Sequence, residues 1–275
     1  MARRRRALDI SLVRVVIAAA TVIAFSILTE LLASALHLSR LIVDPVTGVG
    51  TVFVYVGYVR LIEQRGVPEL AETGAIAELA RGFVLGALLF TVTVTALWLI
   101  GVCTIAWGDG ARALAVPLAG AVGAALREEI LMRAILFRIV EQRLGTWIAL
   151  VLSAALFGLL HAFNPGASVT STAAIALEAG ILLAAAFVLT RRLWMAFGLH
   201  AAWNFTEGGV FGASISGHPG HGLFHTHFDG PPILTGGDFG PEASAIAVAI
   251  CLTAGVVLLR TAYRRGGFVR PSWRR

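Results

Sequence analysis

The chain contains no lysine; every basic residue is an arginine. Charged residues of all kinds fill only 14% of its 275 positions, well below the roughly one quarter usual in a soluble domain. Cysteine is nearly missing. Cys103 and Cys251 are the only two, and their spacing makes neither a metal motif nor a redox pair. A disulfide-rich scaffold is therefore excluded. There is no internal repeat and no stretch of soluble-domain composition to suggest a second domain. The formal net charge of +6 would suit nucleic acid. The arginines, however, stand at the ends of apolar segments, where they act as topology signals, so no nucleic-acid partner is expected.

What the chain has in excess is apolar residues, 57% of the total. In lipid only helices and closed barrels satisfy their own backbone. The apolar runs are long and lack strict alternation, which favours helices. Eight segments qualify: residues 10–36, 46–59, 82–107, 113–137, 146–163, 169–190, 193–210 and 243–259. The second is short and glycine-rich and extends back toward Leu41. The expectation is one all-α domain over residues 1–275, a polytopic membrane protein of about eight transmembrane helices.

The N-terminus has a rival interpretation. Arg3 to Arg6, an apolar core and Ala33-Ser34-Ala35 resemble a secretory signal, but a signal core runs only about 7–15 residues. This stretch is longer, so a retained first helix is expected. Arginine asymmetry then places both termini in the cytoplasm of a multi-pass protein of the cell membrane. Only Arg40 and Arg112 fall in the outer loops. Of the two long polar stretches, 60–81 is expected to form an interfacial amphipathic helix with a turn near Gly66-Val67-Pro68. Residues 211–241, rich in Gly and His, are expected to be a flexible loop. Its His218, His221, His225 and His227 invite a metal, but with Asp229 as the one carboxylate among them a solvated loop is the better expectation.

Three polar patterns interrupt the apolar segments. They are Glu128-Glu129-x-x-x-Arg133, Phe157-x-x-x-His161 and His200-x-x-x-Asn204. Ionisable groups at bilayer depth are expensive and are paired, solvated in a cavity, or functional. Residues four apart share a helix face. Glu129 thus reaches Arg133 as a buried ion pair. Glu128 points about 100° away and is left to act as a base. Phe157 packs beside His161 and excludes water. His200 and Asn204 share a face and are able to donate two hydrogen bonds to one oxygen, as an oxyanion hole requires. A lone intramembrane His or Asn is often interhelical glue. The three patterns together point instead to a site in an intramembrane cavity, expected to open toward the cytoplasm. Glu178 is expected to be an interhelical hydrogen-bond partner, and Glu207 to line the outer mouth. One mismatch stands: at ~1.5 Å per residue, His161 lies about 24 Å from Gly145. Glu128 and His200 lie only about 15 and 13 Å from the inner ends of their spans.

In this order, and followed by Gly198-Leu199-His200-Ala201-Ala202-Trp203-Asn204-Phe205, the patterns resemble the CPBP intramembrane proteases. That family includes the type II CAAX prenyl endopeptidases and bacteriocin-processing homologues and is also called the Abi family. The resemblance covers residues 82–205, a catalytic core, and residues 60–66 look like a family feature ahead of it. It implies an α-helical membrane protease in which Glu128 is the catalytic glutamate. Glu129 and Arg133 are its companions, His161 activates water, and His200 and Asn204 hold the oxyanion. The family is commonly called metalloprotease. Zn held by His161, His200 and Glu128 with one open position is chemically reasonable; so is a metal-free site, which is slightly preferred because no H-E-x-x-H is present.

The expected function is hydrolysis of a peptide bond in a membrane-tethered or hydrophobic substrate, such as a CaaX-like tail or a bacteriocin leader. Membrane lipid is the other expected partner. Two alternatives belong to other classes. A non-proteolytic scaffold or immunity protein would keep the fold without the chemistry. A proton-coupled transporter would use the buried Glu and His as a relay but should show repeats and discontinuous helices.

Overall fold

The computed structural model describes the backbone of residues 2–274 and the side chains of residues 11–274. The side chains of Arg3 to Arg6, and Arg275, lie outside the described residues. Helices α1 (Ala2–Ala35), α2 (Arg40–Tyr58) and α3 (Ala75–Leu99) lead to strand β1 (Cys103–Trp107). Then follow α4 (Ala115–Glu129), α5 (Arg138–Leu144), α6 (Thr146–His161), α7 (Val169–Ile175), α8 (Ile181–Thr190) and α9 (Trp194–Asn204). Strand β2 (Phe224–Phe228), the single turn α10 (Pro232–Thr235) and α11 (Ala245–Arg264) complete the order. Turns of π-helix join α4 to α5 at Ile130–Phe137 and α7 to α8 at Ala176–Gly180, and another extends α9 at Phe205–Val210. Each of the eight apolar segments is thus largely helical.

Among the described residues, five helices are long and apolar enough to cross a membrane: Ser11–Ala35, Arg40–Glu63, Ala75–Leu99, Val169–Thr190 and Ala245–Arg264. Their outward faces display large apolar side chains, including Leu12, Val16 and Leu31 on α1, Val84 and Leu88 on α3, and Val256 and Val257 on α11. A soluble surface seldom exposes so extended an apolar area. The fold is that of an integral, multi-pass membrane protein.

Packing begins where glycine lets two helices touch. A Cβ on Gly86 of α3 would lie 2.2 Å from the Leu199 carbonyl oxygen, and one on Gly198 of α9 would lie 2.3 Å from that of Leu79. Backbones this close exchange dispersion contacts that longer residues forbid. The contact fixes α9, and with it His200, against α3. Phe90 then meets Trp203 edge to face at 5.1 Å between ring centres. Ser244 caps α11 through the Ala247 amide, and Ser168 caps α7 through that of Ser171, each worth about 1 kcal/mol.

The bundle has two unlike ends. At the basic end, Arg14 and Arg138 converge on Glu63 at 2.7 and 2.9 Å, Arg191 meets Glu141 at 2.6 Å, and Arg192 bonds to Glu78. At the other end β1 and β2 pair antiparallel, from Cys103 opposite Phe228 to Trp107 opposite Phe224.

Three expectations are corrected here. The third apolar segment does not stay helical to residue 107. Gly101, at φ +78, ends the helix, the Val102 amide turns back to the Leu97 carbonyl, and Thr104 and Ile105 enter a strand because β2 offers a partner. The stretch 60–81 is not an interfacial amphipathic helix. Gln64, at φ 51, and Pro68 break it, and its carboxylates are drawn inward by arginines. Burial alone would raise the Glu69 carboxyl, but hydrogen bonds from Arg65 and Tyr55 hold it below its ordinary value. The stretch 211–241 is not a flexible loop. Gly222 is buried against the backbone of Gly208 to Gly212, and the Gly217 amide donates to the Phe239 carbonyl. Its glycines serve close backbone approach rather than mobility.

Candidate functional site

The three polar patterns meet at one cavity of about 810 Å³, whose lining includes Glu128, Phe157, His161, His200 and Asn204. Glu128 ends α4, Phe157 and His161 occupy the last turn of α6, and His200 and Asn204 lie on α9. Three separate helices therefore supply the wall, as the spacing within each pattern requires.

Glu129 and Arg133 are the buried pair. Their side chains are 1% and 0% exposed, and Arg133 Nη1 donates to Glu129 Oε1 at 2.9 Å. Arg133 Nη2 reaches the Gly180 carbonyl at 3.3 Å, within the π turn between α7 and α8. Its guanidinium stands 4.8 Å over the Phe157 ring, a favourable cation–π position. Glu128 is different: one third of its side chain is exposed, into the cavity. Among the described residues it has no counter-cation in hydrogen-bond range, and His200 Nε2 stands 3.8 Å away. One carboxylate is consumed by structure and its neighbour is left open.

Hydrogen bonds fix the form of both imidazoles. His161 Nδ1 is 2.8 Å from the Phe157 carbonyl oxygen. A carbonyl only accepts, so Nδ1 carries the proton, and in the neutral ring Nε2 keeps its lone pair. His200 Nδ1 is 3.0 Å from Glu129 Oε1 and donates in the same way. The Phe157 ring lies between the two, 4.7 Å from the His161 ring and 6.1 Å from that of His200.

Sequence reasoning misplaced one carboxylate and missed another. Glu178 is the interhelical hydrogen-bond partner it was expected to be, bonding to Cys251 of α11, and it also lines the cavity. Glu207, expected at the outer mouth, is fully buried behind it, beside Glu242 and Trp203. Glu242 was missed. It falls between the 211–241 stretch and the last apolar segment, yet it lines the cavity and accepts from Ser216 Oγ at 2.6 Å. Burial raises its carboxyl above the ordinary value despite that bond. Only its place just before an apolar run could have drawn attention to it.

The mouth of the cavity lies at the sheet end of the bundle. The lining reaches Arg40, Asp44, Pro117, Asn164, His218 and Pro219, all at the end that carries the β-sheet. Toward the arginine-rich end, Ile130, Ile135, Phe137, Phe187 and Val188 close the core beneath it.

Among the described residues no three His, Cys, Asp or Glu side chains are grouped to share a metal ion. The Nε2 lone pair of His161, and that of His200 when its ring is neutral, would suit a metal, but with Glu128 they form no such group. The four outer histidines do not converge either; His221 and His225 point at Asp109, at 3.8 and 3.5 Å.

A wall of three helices that sets an open carboxylate and two hydrogen-bonded imidazoles around one cavity suits the polar chemistry of hydrolysis. Comparison with known families agrees: residues 110–206 match the type II CAAX prenyl endopeptidase family, described as Rce1-like. The chain carries an Rce1-like domain over that stretch, which includes all three patterns. Residues 60–66 lie outside it. No curated protein matches the chain.

Proposed function

We propose that the protein is an intramembrane endopeptidase that hydrolyses a peptide bond in a membrane-associated polypeptide. The observation that carries this is the separation of the adjacent carboxylates: Glu129 neutralised by Arg133, Glu128 free and facing the cavity. The single domain spans the bilayer eight times, with both termini cytoplasmic by the arginine asymmetry.

Water enters the cavity and donates one hydrogen bond to His161 Nε2 and another to Glu128. Glu128 takes the proton as the water oxygen attacks the carbonyl carbon. The tetrahedral oxyanion accepts from the Asn204 amide and from His200 Nε2–H. Because His200 already donates from Nδ1 to Glu129, this second donation uses a ring protonated on both nitrogens, an ion pair with Glu129. Collapse breaks the C–N bond, and Glu128 returns its proton to the leaving amine. The new acid and amine leave by the mouth. The donors are held in place before charge develops, which is where most electrostatic catalysis originates. No step is routed through a metal, because the donor set does not gather around one. CaaX-like tails, leader peptides and other membrane-protein segments all fit a site of this depth.

The test is quantitative profiling of membrane-protein termini in cells carrying the full chain or its Glu128→Ala variant. Termini present with the first and missing with the second identify the substrate. Identical profiles, from variants equally abundant and folded, would refute proteolysis.

A further inference from the structure

The two ends of the bundle differ in charge, and the cavity opens at one of them. Arg60, Arg65, Arg81, Arg138, Arg143, Arg191, Arg192, Arg264, Arg265, Arg270 and Arg274 all belong to the end opposite the mouth, as does the run Arg3 to Arg6 in the sequence. The mouth end has Arg40 and Arg112, and Arg40 is held by Glu30 and Asp44 at 2.8 and 3.5 Å. Its other ionisable groups are acidic or imidazole, among them Asp109, Asp229, Asp238, Glu242, His37 and the four outer histidines. Orientation follows the count of Lys and Arg, not net charge, so ion pairing of individual arginines does not weaken the bias.

The route from the arginine-rich end is closed twice. The apolar layer under the cavity is one barrier. Beneath it, Glu63 and Glu69 bind Arg14, Arg65 and Arg138, and Tyr55 joins Glu69 to the Ala134 carbonyl. Opening that route would separate the buried carboxylates Glu63 and Glu69 from the arginines that neutralise them.

Resting on the proteolytic reading above, we propose that the site is served from the extracytoplasmic face. Its substrates are membrane-anchored or exported polypeptides that present an extended segment from outside. A prenylated tail held at the cytoplasmic surface stands on the wrong side of the closed layer.

Two measurements test this separately. Cysteine is placed at the rim in Pro219→Cys, and in the exposed 59–74 connection at the other end in Glu72→Cys. The native Cys103 and Cys251 are buried and set the unlabelled background in the otherwise unaltered chain. A membrane-impermeant maleimide applied to intact spheroplasts is expected to label Pro219→Cys and not Glu72→Cys, with both labelled in detergent. Labelling of Glu72→Cys in intact spheroplasts overturns the orientation. So does protection of Pro219→Cys there when detergent exposes it. The second measurement maps the bonds lost in the Glu128→Ala profile. Bonds in extracytoplasmic segments support the substrate class, and bonds in cytoplasmic tails overturn it even where the labelling stands. If no bond is lost, proteolysis falls and the substrate class with it, while the orientation is decided by the maleimide alone.

Discussion

Replacing Glu129 by Gln should damage the fold, and replacing Glu128 by Gln should damage only the chemistry. In Glu129→Gln the Arg133 guanidinium, fully buried, loses the one carboxylate within hydrogen-bond range. What is left to it is the Ala179 and Gly180 carbonyls at 3.4 and 3.3 Å and the Phe157 ring. Removing one partner of a buried pair costs about 3–5 kcal/mol; glutamine still accepts a hydrogen bond, so the lower end applies. A domain of this size shifts its Tm by about 2–4 °C per kcal/mol, giving a fall on the order of 10 °C. Glu128 offers no such bond to lose, and its amide isostere fits the same space. Glu128→Gln should therefore unfold within about 2 °C of wild type, less than 1 kcal/mol on the same scale, while cleavage is lost. Thermal unfolding of purified protein in one detergent, with turnover measured in parallel, reads both effects. The double variant Glu129→Gln/Arg133→Met supplies the control. It removes the orphaned charge and should recover most of the lost Tm, because no buried cation is then left without its carboxylate. If the double variant is no more stable than the single one, the stranded cation is not the cause. If Glu128→Gln proves the less stable single variant, the two carboxylates have been assigned the wrong way round.

Three further outcomes are expected. Gly86→Val should lower both stability and turnover, since its Cβ would press on the Leu199 carbonyl beside His200; Gly57→Ala in α2, which meets nothing within 4 Å, should be neutral or up to about 1 kcal/mol stabilising, and equal effects at the two positions would argue against the close α3–α9 contact. Glu69 is held below its unfolded value of roughly 4.3, so the stability it adds is complete above that pH and is lost as pH falls through the folded value; a Tm profile from pH 7 downward should lose this acid limb in Glu69→Gln, and an unchanged profile would deny Glu69 that role. Exhaustive chelation should leave turnover intact in a variant with His218, His221, His225 and His227 all replaced by Ala; activity that is abolished and then restored by one metal ion per chain would overturn the metal-free mechanism and assign His161 and His200 as the ligands.

The helices were legible because lipid leaves a chain few choices: eight apolar runs without alternation return as helices, with α2 beginning at Arg40, beside the Leu41 to which the short second run was extended. What resisted reading was the polar connections. Nothing within residues 100–107 states that a strand is available more than a hundred residues later, so an apolar run was continued past the glycine that ends it. The glycines of 211–241 carry the same ambiguity. Glycine permits mobility and permits tight packing, and only the surroundings of Gly217 and Gly222 decide between them. The cavity was legible in part of its polar lining and less so in its neighbours. Glu128, His161, His200 and Asn204 stand out because bilayer depth makes each one costly. Glu242 stands in a connection, where a carboxylate costs nothing until the fold buries it.

Part of the depth mismatch of His161, about 5 Å of the roughly 9–11 Å by which it exceeded Glu128 and His200, has a local answer. In a helix the Cα–Cβ bonds tilt toward the N-terminus, so a side chain covers the turn before its own Cα. His161 does this in full. As the last residue of α6 it folds its ring back onto the Phe157 carbonyl, one turn deeper, and lies against the Phe157 ring. That ring in turn faces His200. Counting Cα positions along straight helices therefore placed the imidazole about one turn, some 5 Å, too near the helix end. The same bond that lowers the ring also fixes its tautomer, because a carbonyl accepts only from Nδ1–H. The reach of His161 and its capacity to accept a hydrogen bond from water thus have a single cause, the four-residue spacing from Phe157 to His161.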